Sequence, residues 1–89
     1  MNKRHREIIL YIEECQKYNR KCSLDRVIDH FHVSERTIRY DLDAISRFFT
    51  NKHLPSLLMD EDGNITFLAN HEEIEQVLQN NDFYSFKLN

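Results

Sequence analysis

A mainly helical α+β fold is predicted here: a three-helix bundle, then a β-hairpin, then a C-terminal helix. Three observations carry that prediction. The 89 residues include one Gly, Gly63, and one Pro, Pro55, so little interrupts helix formation before the second half. Up to Phe49, apolar residues recur at the i, i+3, i+4, i+7 spacing of amphipathic helices. From Leu54 onward that period gives way to two short apolar runs on either side of Asp60-Glu61-Asp62-Gly63-Asn64.

The first helix spans Arg4 to about Tyr18, with Ile8, Tyr11, Ile12 and Cys15 as its inner stripe. Asn19, Arg20 and Lys21 form a polar turn. Ser23 is placed to cap a short second helix whose inner residues are Leu24, Val27, Ile28 and Phe31. His32 and Val33 connect it tightly to a third helix. Ser34 caps that helix, which runs from Glu35 to Phe49, and Glu35 sits where the helix dipole favours a negative charge. Leu57-Leu58-Met59 and Ile65-Thr66-Phe67-Leu68 then read as paired strands, with Gly63 and Asn64 best able to take positive φ in the loop. Asn70 caps a final helix from His71 to about Gln79, with Ile74, Val77 and Leu78 facing inward. Three helices followed by a hairpin is the order of a winged helix-turn-helix. Residues 1–69 are read as that domain. Residues 70–89 are read as a C-terminal helix and an aromatic tail, Asp82 to Asn89, which either packs back or leads into regulatory domains.

Composition narrows the function. The apolar fraction of 40% and charged fraction of 30% describe a globular protein. The longest apolar run, Ile8 to Ile12, is far below the roughly 18 residues needed to cross a bilayer. The basic start, MNKRHREIIL, is cut off from any signal-peptide core by Glu13 and Glu14, so a cytoplasmic location is expected. The net charge of −3 hides an asymmetry: residues 1–53 carry eleven Lys and Arg against eight acids, residues 54–89 one Lys against seven acids. The first part can approach phosphate, and the second alone would be repelled by it. Cys15 and Cys22 read as free thiols, one in the core and one in a loop. A zinc reading would join them to His30 and His32, but paired ligands usually stand two to four residues apart and these cysteines do not. No metal and no cofactor is expected. An enzyme is not expected either: there is no Gly-rich phosphate loop, and His5, His30, His32, His53 and His71 are scattered over different elements.

The third helix carries the functional signal. At 100° per residue, Ile38, Leu42, Ile45 and Phe49 fall on one buried stripe. Opposite lie Arg36, Tyr40, Asp43 and Arg47, flanked by Thr37 and Arg39. Arg can bond guanine O6 and N7 at once, and Thr and Tyr hydroxyls suit phosphate. Arg39 and Arg47 each stand four residues from Asp43, so surface ion pairs are the competing reading for them. Asp41 can pair with an Arg of a neighbouring helix. Arg36, Thr37 and Tyr40 have no evident local partner.

Residues 4–49 resemble the N-terminal helix-turn-helix of bacterial transcription regulators of the DeoR and BglG-activator type, including phosphotransferase-regulated and Mga-like ones. The motif V-S-x-R-T-I-R-x-D-L stands here as Val33, Ser34, Arg36, Thr37, Ile38, Arg39, Asp41 and Leu42. The resemblance implies a recognition helix at residues 35–49 that enters the major groove of double-stranded DNA, with Ser34, Arg36, Thr37, Arg39 and Tyr40 as contacts. It also implies a homodimer formed through regions outside this chain. Two features depart from the pattern. Relatives commonly have Leu-Gly-Val-Ser at the turn, where this chain has Phe31-His32-Val33-Ser34. His tolerates left-handed φ better than most residues, so the turn is expected to form at some cost. The hairpin tip, Asp60-Glu61-Asp62, is acidic where a wing is usually basic, so this wing is expected to be structural or to face a partner. The competing function is a winged helix used only for protein–protein interaction, suggested by the acidic, aromatic-tailed second part.

Overall fold

The computed structural model describes residues 1–80 of the chain; the aromatic tail, Asp82 to Asn89, lies outside the described residues. Helices α1 (Lys3–Lys17), α2 (Leu24–Phe31) and α3 (Glu35–Thr50) are followed by β1 (Leu57–Met59), β2 (Ile65–Phe67) and α4 (His71–Asn80). The order is the one expected, and the architecture is a winged helix-turn-helix.

Each helix starts on a side chain that accepts an otherwise unpaired backbone N–H. Asn2 takes the amide of His5, and its own amide donates back to His5 Nδ1, closing a capping box. Ser23 accepts from Arg26 N and Ser34 from Thr37 N, both at 3.1 Å. Asn70 and Glu73 cap α4 reciprocally, at 2.8 and 2.9 Å. The turn between α2 and α3 closes as the sequence suggested: His32 takes left-handed φ 56°, ψ 40°, and its amide bonds Ile28 O.

The core is one cluster. Ile38, Ile45 and Phe49 of α3 are fully buried and Leu42 nearly so, against Ile8, Ile9 and Ile12 of α1, Val27 of α2, and Ile65 and Phe67 of β2. Ile74, Val77 and Leu78 join from α4. On α1 the buried face includes Ile9 rather than Tyr11, because this helix packs against β2 as well as α3, which widens its inner face. Tyr11 is half-buried at the rim, its ring stacked on His30 at 4.3 Å. Ile28 and Phe31, expected inside, are also only half-buried. Cys22 does lie in a loop, yet it is buried, and burial beside Cys15 pushes its thiol up to about 12.

The hairpin pairs Leu57 with Phe67 and Met59 with Ile65. Its tip is built by Asp60, whose Oδ1 accepts the amides of Asp62 and Asn64, both at 2.9 Å. These bonds hold the Asp60 carboxyl below its ordinary range. Of the two loop residues expected to do so, Gly63 takes positive φ, 81°, whereas Asn64 forms a bridge to Ser23. Ile65 N bonds Cys22 O and Leu24 N bonds Gly63 O, so the stretch before α2 covers the outer edge of β2. Gln16 completes that edge, its side chain accepting from Phe67 N at 2.7 Å.

Candidate nucleic-acid interface

The first two turns of α3 present one continuous polar surface. Ser34, Arg36, Arg39 and Tyr40 are exposed and Thr37 is half-exposed, while Ile38 between them is fully buried. Tyr40, at 60% exposure, is among the most exposed large hydrophobic side chains of the described residues, and packing gives no reason for a tyrosine there.

These residues are not independent. The Arg36 guanidinium donates to the Tyr40 hydroxyl through Nε and Nη2 (3.3 and 3.1 Å) and lies 5.5 Å from the ring centroid. The Ser34 hydroxyl, besides capping α3, donates to Thr37 Oγ1 at 2.9 Å. The expectation that Arg36, Thr37 and Tyr40 lack local partners is therefore corrected: they hold one another and Ser34. Arg39 is also paired, but with Glu35 at 2.8 Å rather than with Asp43. Both partners are more than half exposed, so the pair contributes only a few tenths of a kcal/mol. The arrangement leaves Arg36 as the cation of the first two turns with no carboxylate on it, carried beside a phenol hydroxyl and two aliphatic hydroxyls. Such a surface donates hydrogen bonds to anionic oxygen and to base edges.

Behind this face lies Asp41, the buried charged residue of the described chain, at 5% exposure. The expected pairing with an Arg of a neighbouring helix is met by Arg4 of α1, which donates through Nε and, at 3.2 Å, through Nη2. His5 Nε2 stands 3.1 Å from the other carboxylate contact, Oδ1. Because Asn2 N donates to His5 Nδ1, Nε2 is the protonated nitrogen and donates to Asp41. Sequence reasoning did not pick out Arg4 or His5. The signal was present, since each stands one helical turn before a core isoleucine, Arg4 before Ile8 and His5 before Ile9. Burial pulls the His5 imidazole below its ordinary pKa, outweighing the attraction of Asp41.

Away from α3, Glu13, His71 and Glu75 bring three potential metal ligands within 4.8 Å of one another. His71 Nδ1 is hydrogen-bonded to Glu13 at 2.6 Å, and that bond raises the His71 pKa, as expected of a carboxylate–imidazolium pair joining α1 to α4. Cys15, Cys22, His30 and His32 do not form a ligand group among the described residues. No helix of the described residues is long and apolar enough to cross a membrane.

Comparison with known proteins agrees with this geometry. No curated protein and no solved structure matches the chain. A family model does: the DeoR-like helix-turn-helix domain, over residues 4–49, which are α1 without its first residue, α2, and α3 without its last. With more than half of its length matched, the chain belongs to the DeoR-like helix-turn-helix family of DNA-binding transcription regulators.

Proposed function

We propose that this chain reads a specific DNA sequence by placing α3 in the major groove, as the DNA-binding part of a bacterial transcription regulator. Ser34, Arg36, Thr37, Arg39 and Tyr40 are the contacts, with Arg36 and Tyr40 central and Arg39 the most dispensable because Glu35 already holds it. The observation that carries the reading is the exposed Arg36–Tyr40 pair on the first turns of a helix whose opposite face is fully buried. Residues 1–69 form the reading unit, and residues 70–89 lead toward parts of a longer protein through which two copies would address half-sites about one helical turn apart. The acidic wing serves the fold, or a partner, rather than the minor groove.

The test is a salt titration. Duplexes are selected from a random library with the 89-residue chain at low salt, and binding to the enriched sequence is followed by fluorescence anisotropy. Four to six phosphate contacts give a slope of log K against log salt of roughly −4 to −5. Failure to enrich any sequence, or a slope near zero, would refute the reading and favour a protein-interaction role.

A further inference from the structure

The core stripe of α3 cannot by itself set the direction in which the opposite face points. Apolar contacts are non-directional, so a stripe of them resists small rotations of α3 about its own axis less sharply than a hydrogen bond does. A rotation of about 20° moves a side-chain tip about 6 Å from the helix axis by roughly 2 Å. The distance window of a good hydrogen bond is only about 0.5 Å wide. Something directional has to hold α3 if its side chains are to meet particular base edges.

The Asp41 site has the needed geometry. Its carboxylate is buried on the flank of α3 between the core stripe and the outer face, one turn after Thr37. It is gripped by the two-pronged Arg4 guanidinium across both oxygens and by His5 Nε2 on Oδ1. A fork-shaped donor on a planar acceptor constrains rotation as well as distance. His5 is itself held, by the amide of Asn2 on Nδ1 and by an edge contact to Phe48 at 5.7 Å. The grip therefore ties α3 to the capping box that starts α1.

We infer that Arg4, His5 and Asp41 are positioning residues for base reading: they touch no DNA, but fix the rotation of α3 so that Arg36, Thr37 and Tyr40 meet the bases in register. This rests on the proposed DNA-reading function and deepens it. Asp41→Asn keeps the shape but weakens the charged grip, and Arg4→Gln removes the fork. Arg4→Lys keeps the charge and supplies a single point donor instead.

The discriminating measurement is the ratio of affinities for the selected duplex and for a scrambled duplex of the same composition. It is made at a temperature where circular dichroism shows each variant folded. A misdirected helix still meets phosphate, so Asp41→Asn and Arg4→Gln are expected to lower the ratio about tenfold, with scrambled-duplex binding and salt slope nearly unchanged. Arg4→Lys should recover part of the ratio. A merely structural role would lower binding to both duplexes together, and that outcome overturns the inference, as does an unchanged ratio in the folded variants. If the unaltered chain does not distinguish the duplexes, sequence-specific reading has itself failed and the inference falls with it.

Discussion

Arg36 and Tyr40 form the most direct test of the reading surface, because the structure couples them before any DNA arrives. The Arg36 guanidinium is bonded to the Tyr40 hydroxyl and lies over the ring. An exposed cation–π contact contributes about 0.5–1 kcal/mol. Bidentate contact to a guanine contributes about 1–3 kcal/mol of discrimination, so Arg36→Ala should weaken binding to the selected duplex by about 5- to 150-fold. Tyr40→Ala should lose its own contact and also free Arg36 from its held rotamer. The double variant is therefore expected to lose less than the two single losses combined, by a coupling of about 0.5–1 kcal/mol. Neither change should shift the melting midpoint appreciably, since both side chains are exposed and substitutions of that kind stay within about 0.5 kcal/mol. Anisotropy across a salt series separates the modes of contact. If Arg36 reads a base, the slope is unchanged in Arg36→Ala; if it meets phosphate, the slope falls by about 0.9. Binding of the double variant within twofold of the parent would refute the assignment of this surface.

The other expectations concern the frame around that surface. Ser34→Ala deletes the cap on Thr37 N and should cost about 1 kcal/mol, read as a drop in melting midpoint of roughly 4–8 °C. Gly63→Ala meets no steric obstacle, since the nearest atom to the added carbon is Leu24 Cβ at 3.9 Å, but it must hold φ at 81°. A loss of about 1 kcal/mol in a denaturant titration is expected from that strain alone. Replacing Glu61 and Asp62 by Gln and Asn should leave DNA affinity within about twofold if the wing stands clear of the phosphates; a rise of one slope unit or more would place it against them. The two held histidines give opposite pH dependences. His5 binds its proton less readily folded than unfolded, so its contribution is complete above about 6.5 and is lost as the pH falls below that value. His71 binds its proton more readily folded, so its contribution is present below 6.5 and is lost as the pH rises through the raised value. Thermal melts of His5→Gln and His71→Gln from pH 5 to 8 should each remove one limb, and a melt profile unchanged by either replacement would contradict the assignment.

What was legible in the sequence is what depends on neighbours along the chain. Helical periodicity, the caps at Ser23, Ser34 and Asn70, and the αL turn at His32 are local matters, and each is present where the sequence placed it. The partner of Arg39 is read from the sequence as Asp43, although Glu35 stands at the same spacing on its other side. The choice is decided by direction, because an acid one turn N-terminal to a base also suits the helix dipole. Features that failed to show need the third dimension. Ile9 is buried because β2 lies along α1, and nothing near Ile9 in the sequence announces β2. The edge pairing of Cys22 to Leu24 with β2 is too short to show a period of two. The pairing of Asp41 with an Arg of a neighbouring helix was expected, but which Arg, the part of His5 and the His71–Glu13 bond were not, because those partners stand 36 and more residues apart.

A net charge of −3 opposes binding to a polyanion, but only as far as screening allows. At physiological ionic strength that distance is about 8 Å. A phosphate against α3 therefore responds to the groups around it, and there Glu35 and Asp41 are already engaged, while Asp43 stays exposed on the outer face. Glu35 is on Arg39 and Asp41 is on Arg4 and His5, which leaves Arg36 with only a phenol as its partner. In the second part of the chain, acids also have local work: Asp60 holds the hairpin tip, Glu73 caps α4, and Glu13 of α1 is bonded to His71 there. Long-range steering is different, because it sums charge at separations where approach is decided before contact. A domain built this way should reach DNA without electrostatic acceleration, at association rates of about 10⁵–10⁶ M⁻¹s⁻¹, and should owe its affinity to contacts made on arrival. Its discrimination between sequences then depends on how firmly α3 is held, which is why a buried carboxylate on that helix matters more than the sign of the whole.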